Sequence, residues 1–174
     1  MKGPVGLGGW LVLPMIGFFG TIGVTAFNLA ESFRYFDGLL EILSASSGPL
    51  VSLKLPILSS MFGGVAVIVS AAACLFLIFR KNSLIVKVAT AHYLILAVVS
   101  ILEVWGEAKL REALPNQPAD PSVVKDAVRA CFAALIWIPY FHISKRVRNT
   151  FQAPGIDISE SASVVRPASS DTNP

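Results

Sequence analysis

Charged residues are scarce in this sequence. Lysine, arginine, aspartate and glutamate make up 14% of its 174 residues, against roughly 25% in an average soluble domain. This is too little charge to cover a surface that faces water, and the mean hydropathy of +0.67 agrees with that. The composition therefore excludes an ordinary soluble domain and indicates lipid as the main solvent. The formal net charge of +3 is too small to indicate a nucleic-acid partner.

Cysteines and catalytic motifs are also few or lacking. The chain has two cysteines, Cys74 and Cys131, and each lies inside an apolar run, so neither a disulfide framework nor a cysteine metal site is predicted. The sequence contains no H-E-x-x-H, G-x-S-x-G, Walker or dinucleotide-binding motif. His92 and His142 are expected at different membrane depths. We therefore expect no cofactor, no metal and no enzymatic activity.

Long apolar runs are what the sequence does contain. Four of them reach the roughly 20 residues that a helix needs to cross a bilayer, and they cover residues 7–30, 56–79, 84–105 and 123–143. The first is longer than the apolar core of a cleaved signal peptide, so we interpret it as a retained span. The predicted fold class is an all-α integral membrane protein, with a four-helix transmembrane domain over residues 1–151. Residues 152–174 are predicted to be a disordered cytoplasmic tail.

The positions of the basic residues predict the orientation. The tight turn with Arg80 and Lys81 and the region after the fourth span are richer in basic residues than the segments on the other side. Because such residues stay on the cytoplasmic side, both termini are predicted to be cytoplasmic. Aromatic residues at the end of the fourth span and basic residues after it predict an anchor in the inner leaflet that binds anionic lipid. The anchor consists of Trp137, Tyr140, Lys145, Arg146 and Arg148.

Two further helices are predicted outside the spans. Apolar residues at positions 143, 147 and 151 recur at helical spacing, which predicts that the fourth helix continues along the membrane surface. Between the first two spans, Phe33, Phe36, Leu40 and Leu43 recur in the same way. That pattern predicts an amphipathic helix on the outer surface or, as the alternative, a loop helix packed on the ends of the bundle.

Small residues form stripes on the first two spans. Gly17, Gly20 and Gly23 lie along the first, and Gly63 and Ser70 along the second. Small side chains let membrane helices approach closely. We interpret both stripes as contacts within the bundle, with a dimer face as the alternative.

Four polar residues inside the spans are candidate functional residues. A rise of about 1.5 Å per residue places Glu103, Asp126 and Arg129 near the outer membrane edge and His92 near the middle. The outer three predict either an ion-pair cluster that fixes the helix register or a polar mouth for an ion or anionic substrate. His92 predicts either a neutral side chain hydrogen-bonded to a neighbouring helix or a proton relay.

Two motifs carry a family resemblance. The first span opens with Gly8, Gly9, Trp10 and Leu11, and the fourth ends with Tyr140, Phe141, Ser144, Arg146, Val147, Thr150 and Phe151. Over about residues 6–151 the chain resembles the bacterial domain-of-unknown-function family numbered 2569, the YdgK-like small inner-membrane proteins. The resemblance implies a four-helix inner-membrane protein and brings no assigned activity, cofactor or catalytic residue.

Two classes of function remain open at this point. The first is a non-enzymatic scaffold or accessory subunit that binds other membrane proteins, further copies of itself or anionic lipid. The alternative is a small oligomeric transporter or ion pathway that uses the polar residues inside the spans. An intramembrane enzyme that acts on lipid is a third hypothesis.

Overall fold

The computed structural model describes residues 9–116, 118 and 120–151, and this part of the chain is helical without any strand. The predicted all-α class is therefore confirmed for these residues. The predicted tail lies outside them. A 3-10 turn, Gly9–Leu11, precedes the first helix, and a second one, Pro49–Leu53, leads into the third. The helices are α1 (Val12–Arg34), α2 (Phe36–Ser44), α3 (Lys54–Phe79), α4 (Ile85–Ala113), α5 (Pro121–Ile143) and α6 (Lys145–Phe151).

Three segments of the described chain are long and apolar enough to cross a membrane. They are α1, α3 together with the 3-10 turn before it, and α4. The number of candidate spans rises to four if α5 and α6, which are bent by 62° relative to each other, are counted as one span. α4 continues beyond residue 105, where Lys109–Glu112 and Arg111–Glu107 ion pairs, 2.6 and 3.2 Å long, lie on its polar surface.

The long helices pack in chain order. α1 lies against α3, α3 against α4, and α4 against α5. Within the described residues, α1 and α5 make no comparable contact. The bundle therefore stays open between its first and last long helices. We call the end that carries the tight turn at residues 80–84 the turn end, and the end that carries the connections at residues 35–53 and 114–120 the loop end.

The buried core lies in the half of the bundle toward the turn end. It brings together side chains from every long helix and from α6, among them Leu11, Phe18, Cys74, Ile78, Ile85, Phe141, Val147 and Phe151. Close packing of such apolar groups is the main source of stability available to the bundle.

The last helix, α6, packs its apolar side against protein. It is bent by 62° from α5, and Val147 and Phe151 are buried in the core, while Ile143 is 73% exposed. The course of this helix along the membrane surface stays a prediction. Lys145 and Arg148 remain exposed on this helix.

The two small-residue stripes have different environments. A Cβ added to Gly63 would lie 2.9 Å from both methyl carbons of Val99 on α4, so this glycine permits a close helix contact. A Cβ added to Gly17, Gly20 or Gly23 would have no neighbouring atom within 4 Å. The expected contact within the bundle is therefore missing on that side of α1, because α5 lies away from it.

The different surroundings of Gly63 and Gly20 give a first prediction. Gly63→Ala should lower the free energy of unfolding by about 1 kcal/mol or more, because the added methyl group forces the stiff Val99 side chain to shift. Gly20→Ala is the matched control, with no loss and a gain of up to about 1 kcal/mol in helix propensity. Reversible unfolding in mixed micelles measures both changes. Equal stability of the two variants would contradict the packing at Gly63.

A capping interaction starts α5. Asp120 precedes the helix, and its Oδ1 accepts a hydrogen bond of 2.8 Å from the backbone N–H of Ser122, while Pro121 occupies the first helical position. The backbone N–H of Asp120 also donates to Glu107 Oε1 on α4 over 3.2 Å. These bonds fix the start of α5 against the end of α4.

The cap makes stability depend on pH. Hydrogen bonds from the Ser122 side chain and backbone lower the pKa of Asp120. The ionised cap therefore stabilises the folded state above the unfolded-state pKa, and this contribution is lost as the pH falls through the lowered folded-state pKa. Asp120→Asn should remove this part of the acid-side loss of thermal stability, measured by circular dichroism between about pH 6 and 3. Asp37→Asn on α2 is the control, and an unchanged pH slope in Asp120→Asn would contradict the role of the cap.

Candidate functional site: an open groove between α1 and α5

A groove of about 430 Å³ opens between α1 and α5, in the half of the bundle toward the loop end. α3 and α4 form its floor, where Gly64, Val67, Val99 and Ser100 lie. Its volume falls in the range of roughly 300–1,000 Å³ that is typical of small-ligand pockets. The groove is therefore large enough to hold a molecule and is open to the side of the bundle.

Small side chains keep the groove open. The α1 wall carries Gly17, Gly20 and Thr21, and the α5 wall carries Ala130 and Ala133. None of these side chains is long enough to bridge two helices that diverge. The glycine stripe expected to pack in the bundle thus lines a space instead, although Gly23 lies outside the lining.

An aromatic layer closes the groove toward the turn end. Phe18 of α1 and His92 of α4 are each 1% exposed, and their rings meet edge to face with centroids 5.1 Å apart. Tyr93 lies beside both, at 5.8 Å from the Phe18 ring and 5.3 Å from the His92 ring. The residues that line the groove begin within one turn of this layer. The space therefore ends where the packed core begins.

His92 makes a hydrogen bond to a neighbouring helix. Its Nδ1 lies 2.9 Å from Ser70 Oγ on α3, and the same hydroxyl donates to the Val67 carbonyl over 3.0 Å. The Ser70 hydroxyl has a single hydrogen, which it donates to Val67. Its oxygen is then the acceptor toward His92, and the Nδ1 of His92 carries the proton that is donated. The other histidine, His142, lies 3.0 Å from Thr90 Oγ1 at the turn end and is exposed.

The three outer charged residues all line the loop-end mouth of the groove. Arg129 Nη1 lies 3.0 Å from Asp126 Oδ1, and the two side chains are 72% and 56% exposed. Both residues belong to α5, so this ion pair does not fix the register between helices. Glu103 comes from α4 and has no ion-pair partner within the described residues. The mouth thus combines one paired and one unpaired carboxylate.

A stripe of polar side chains in the groove escaped the sequence analysis. Thr21, Thr25, Asn28 and Ser32 recur at helical spacing on α1 and all line the groove. Opposite them, Ser100 also lines the groove and is only 7% exposed. The spacing of the α1 polar residues within an apolar run was the signal that could have predicted this surface.

The residues of the predicted inner-leaflet anchor lie far from the groove, at the turn end. Trp137 and Tyr140 are half-buried against the core, and their rings meet edge to face at 5.4 Å. Among the described residues, no three His, Cys, Asp or Glu side chains form a group that could hold a metal ion.

These features define a multi-pass membrane protein with a groove that opens sideways between its first and last long helices. The model of a protein family of unknown function, DUF2569, matches residues 4–152, and the chain belongs to this family. This match confirms the family resemblance carried by the two motifs at the ends of the bundle. No curated protein and no solved structure matches the chain.

The Ser70–His92 contact gives a second kind of stability prediction. Ser70→Ala should lower the free energy of unfolding by about 1 kcal/mol, because it leaves the buried imidazole nitrogen without its partner. Ser59→Ala is the matched control, since the Ser59 hydroxyl bonds only the Pro56 carbonyl of its own helix at 2.8 Å. Unfolding in mixed micelles compares the two variants. A loss no greater in Ser70→Ala than in Ser59→Ala would show that the bond contributes nothing.

Proposed function

We propose that this protein is a non-enzymatic accessory subunit or scaffold of the bacterial inner membrane. Its groove between α1 and α5 binds another membrane component from the side. The observation that carries this proposal is the gap itself, which stays open although α1 and α5 flank the same floor. Small residues on both walls would let an occupant approach the backbone closely.

The proposed arrangement has four spans, with α5 and α6 as the fourth and both termini in the cytoplasm. Arg80, Lys81 and the basic residues of α6 gather at the turn end, which supports a cytoplasmic position for that end. In α2 none of the described residues is buried, and Phe36 and Leu40 are exposed. These exposed apolar residues support an amphipathic helix that lies on the outer membrane surface.

Ion or solute transport is the second candidate, and the polar stripe on α1 favours it. The stripe descends from the charged mouth toward His92. A complete path would require Phe18 and the core beneath it to move, because both fill the bundle toward the turn end. Binding in the groove needs no such movement, and we therefore prefer the accessory role.

Site-specific photocrosslinking in native membranes tests the proposal. Val24 lines the groove and is 62% exposed, whereas Phe27 lies on the same helix outside the lining and is 64% exposed. A photoreactive residue at position 24 of the full chain should yield one dominant adduct mass, either a protein or a lipid. The same residue at position 27 should yield only the mixture of surrounding lipids.

Two results would overturn the accessory role. Identical adduct mixtures at both positions would show that the groove binds nothing selectively. Ion flux in proteoliposomes that disappears in Glu103→Gln would instead establish the transport function.

A further inference from the structure

We propose that the groove holds a phospholipid whose head group contains both a phosphate and a primary ammonium group. This inference rests on the proposed function, since it names the occupant of the same groove. The head group would lie at the loop-end mouth, and one acyl chain would run along the groove toward the Phe18 layer.

The limited access to the floor of the groove favours a lipid chain over a helix from another protein. Ser100 lies on this floor, on α4, and is only 7% exposed. A helix is at least about 10 Å wide with its side chains. An extended acyl chain is narrower and can reach so small an exposed surface more closely than a helix can.

The chemistry along the groove changes in the order that a phospholipid requires. Charged Glu103 and Arg129 lie at the mouth. Ser100 lies three residues deeper on α4, about 4.5 Å along the helix axis, where an ester carbonyl would accept from its hydroxyl. Leu96 and Val67 follow at the deep end and provide the apolar surface for an acyl chain.

The charges at the mouth select the head group. Arg129 uses one N–H on Asp126, so four of its five guanidinium N–H groups remain for phosphate oxygens. The unpaired Glu103 carboxylate can accept from an ammonium group. Two carboxylates against one guanidinium leave one net negative charge among these three residues, which disfavours a head group that carries a phosphate without a cation.

Native mass spectrometry of the purified full chain tests this assignment. The probes are dioleoyl phosphatidylethanolamine, phosphatidylcholine and phosphatidylglycerol, which share acyl chains and differ in the head group. We expect a one-to-one adduct with phosphatidylethanolamine and at least about tenfold weaker binding of the other two, the loss expected for one charge-assisted hydrogen bond. Phosphatidylcholine keeps the positive charge but has no ammonium N–H to donate to Glu103.

Two pairs of variants locate the adduct. Glu103→Gln preserves the side-chain shape and should weaken phosphatidylethanolamine binding at least about tenfold, while Glu112→Gln on the same helix outside the groove should leave it unchanged. Gly20→Leu should fill the groove and abolish the adduct with every head group. Gly23→Leu, one turn away and outside the lining, should preserve it. Monodisperse elution and unchanged helical circular dichroism show which variants are folded.

Each contrary result has a defined meaning. Equal binding of the three lipids, or an adduct that survives Gly20→Leu in the folded protein, would overturn the lipid assignment. A single protein adduct at position 24 without a selective lipid adduct would also overturn it, while the proposed accessory role would stand. Only the absence of any selective adduct at position 24 would overturn both.

Discussion

The contact of Phe18 with His92 divides the bundle into two unlike halves. Toward the turn end, side chains of α1, α3, α4, α5 and α6 fill a common core. The Ser70–His92 hydrogen bond joins α3 to α4 where this core meets the open half. Toward the loop end, small residues such as Gly17, Gly20, Ala130 and Ala133 lie on the facing sides of α1 and α5, and the helices stand apart. A packed half holds the four long helices together, so the other half can stay open without unfolding. The groove depends on that division.

The parts of the structure that the sequence predicts correctly are those that depend on a local property. A run of about 20 apolar residues must form a helix in lipid wherever it lies, so the all-α class follows from length and hydropathy alone. The polar continuation of α4 through Lys109 and Arg111 does not register in hydropathy, and ion pairs within the helix support it instead. The apolar stripe of α6 was recognised, but its partner was not, since Val147 fits lipid and protein equally well.

The parts that the sequence could not predict depend on where another helix lies. Gly63 and Gly20 are the same residue in similar apolar runs, yet one contacts Val99 and the other faces a groove. The difference is the distance between α1 and α5, which no local pattern encodes. Likewise, Arg129 could reach either carboxylate by its depth, and it pairs with Asp126 on its own helix. Glu103 is thereby left without an ion-pair partner among the described residues.

The separation of α1 and α5 is the central claim, and a crystal structure of the full chain grown from a lipidic mesophase tests it most directly. We expect the two helices to stand apart between Gly17 and Asn28, with Phe18 packed on His92 beneath the gap. If α5 instead packs directly against Gly17 and Gly20 and leaves no space between the helices, the groove does not exist and the account built on it is wrong.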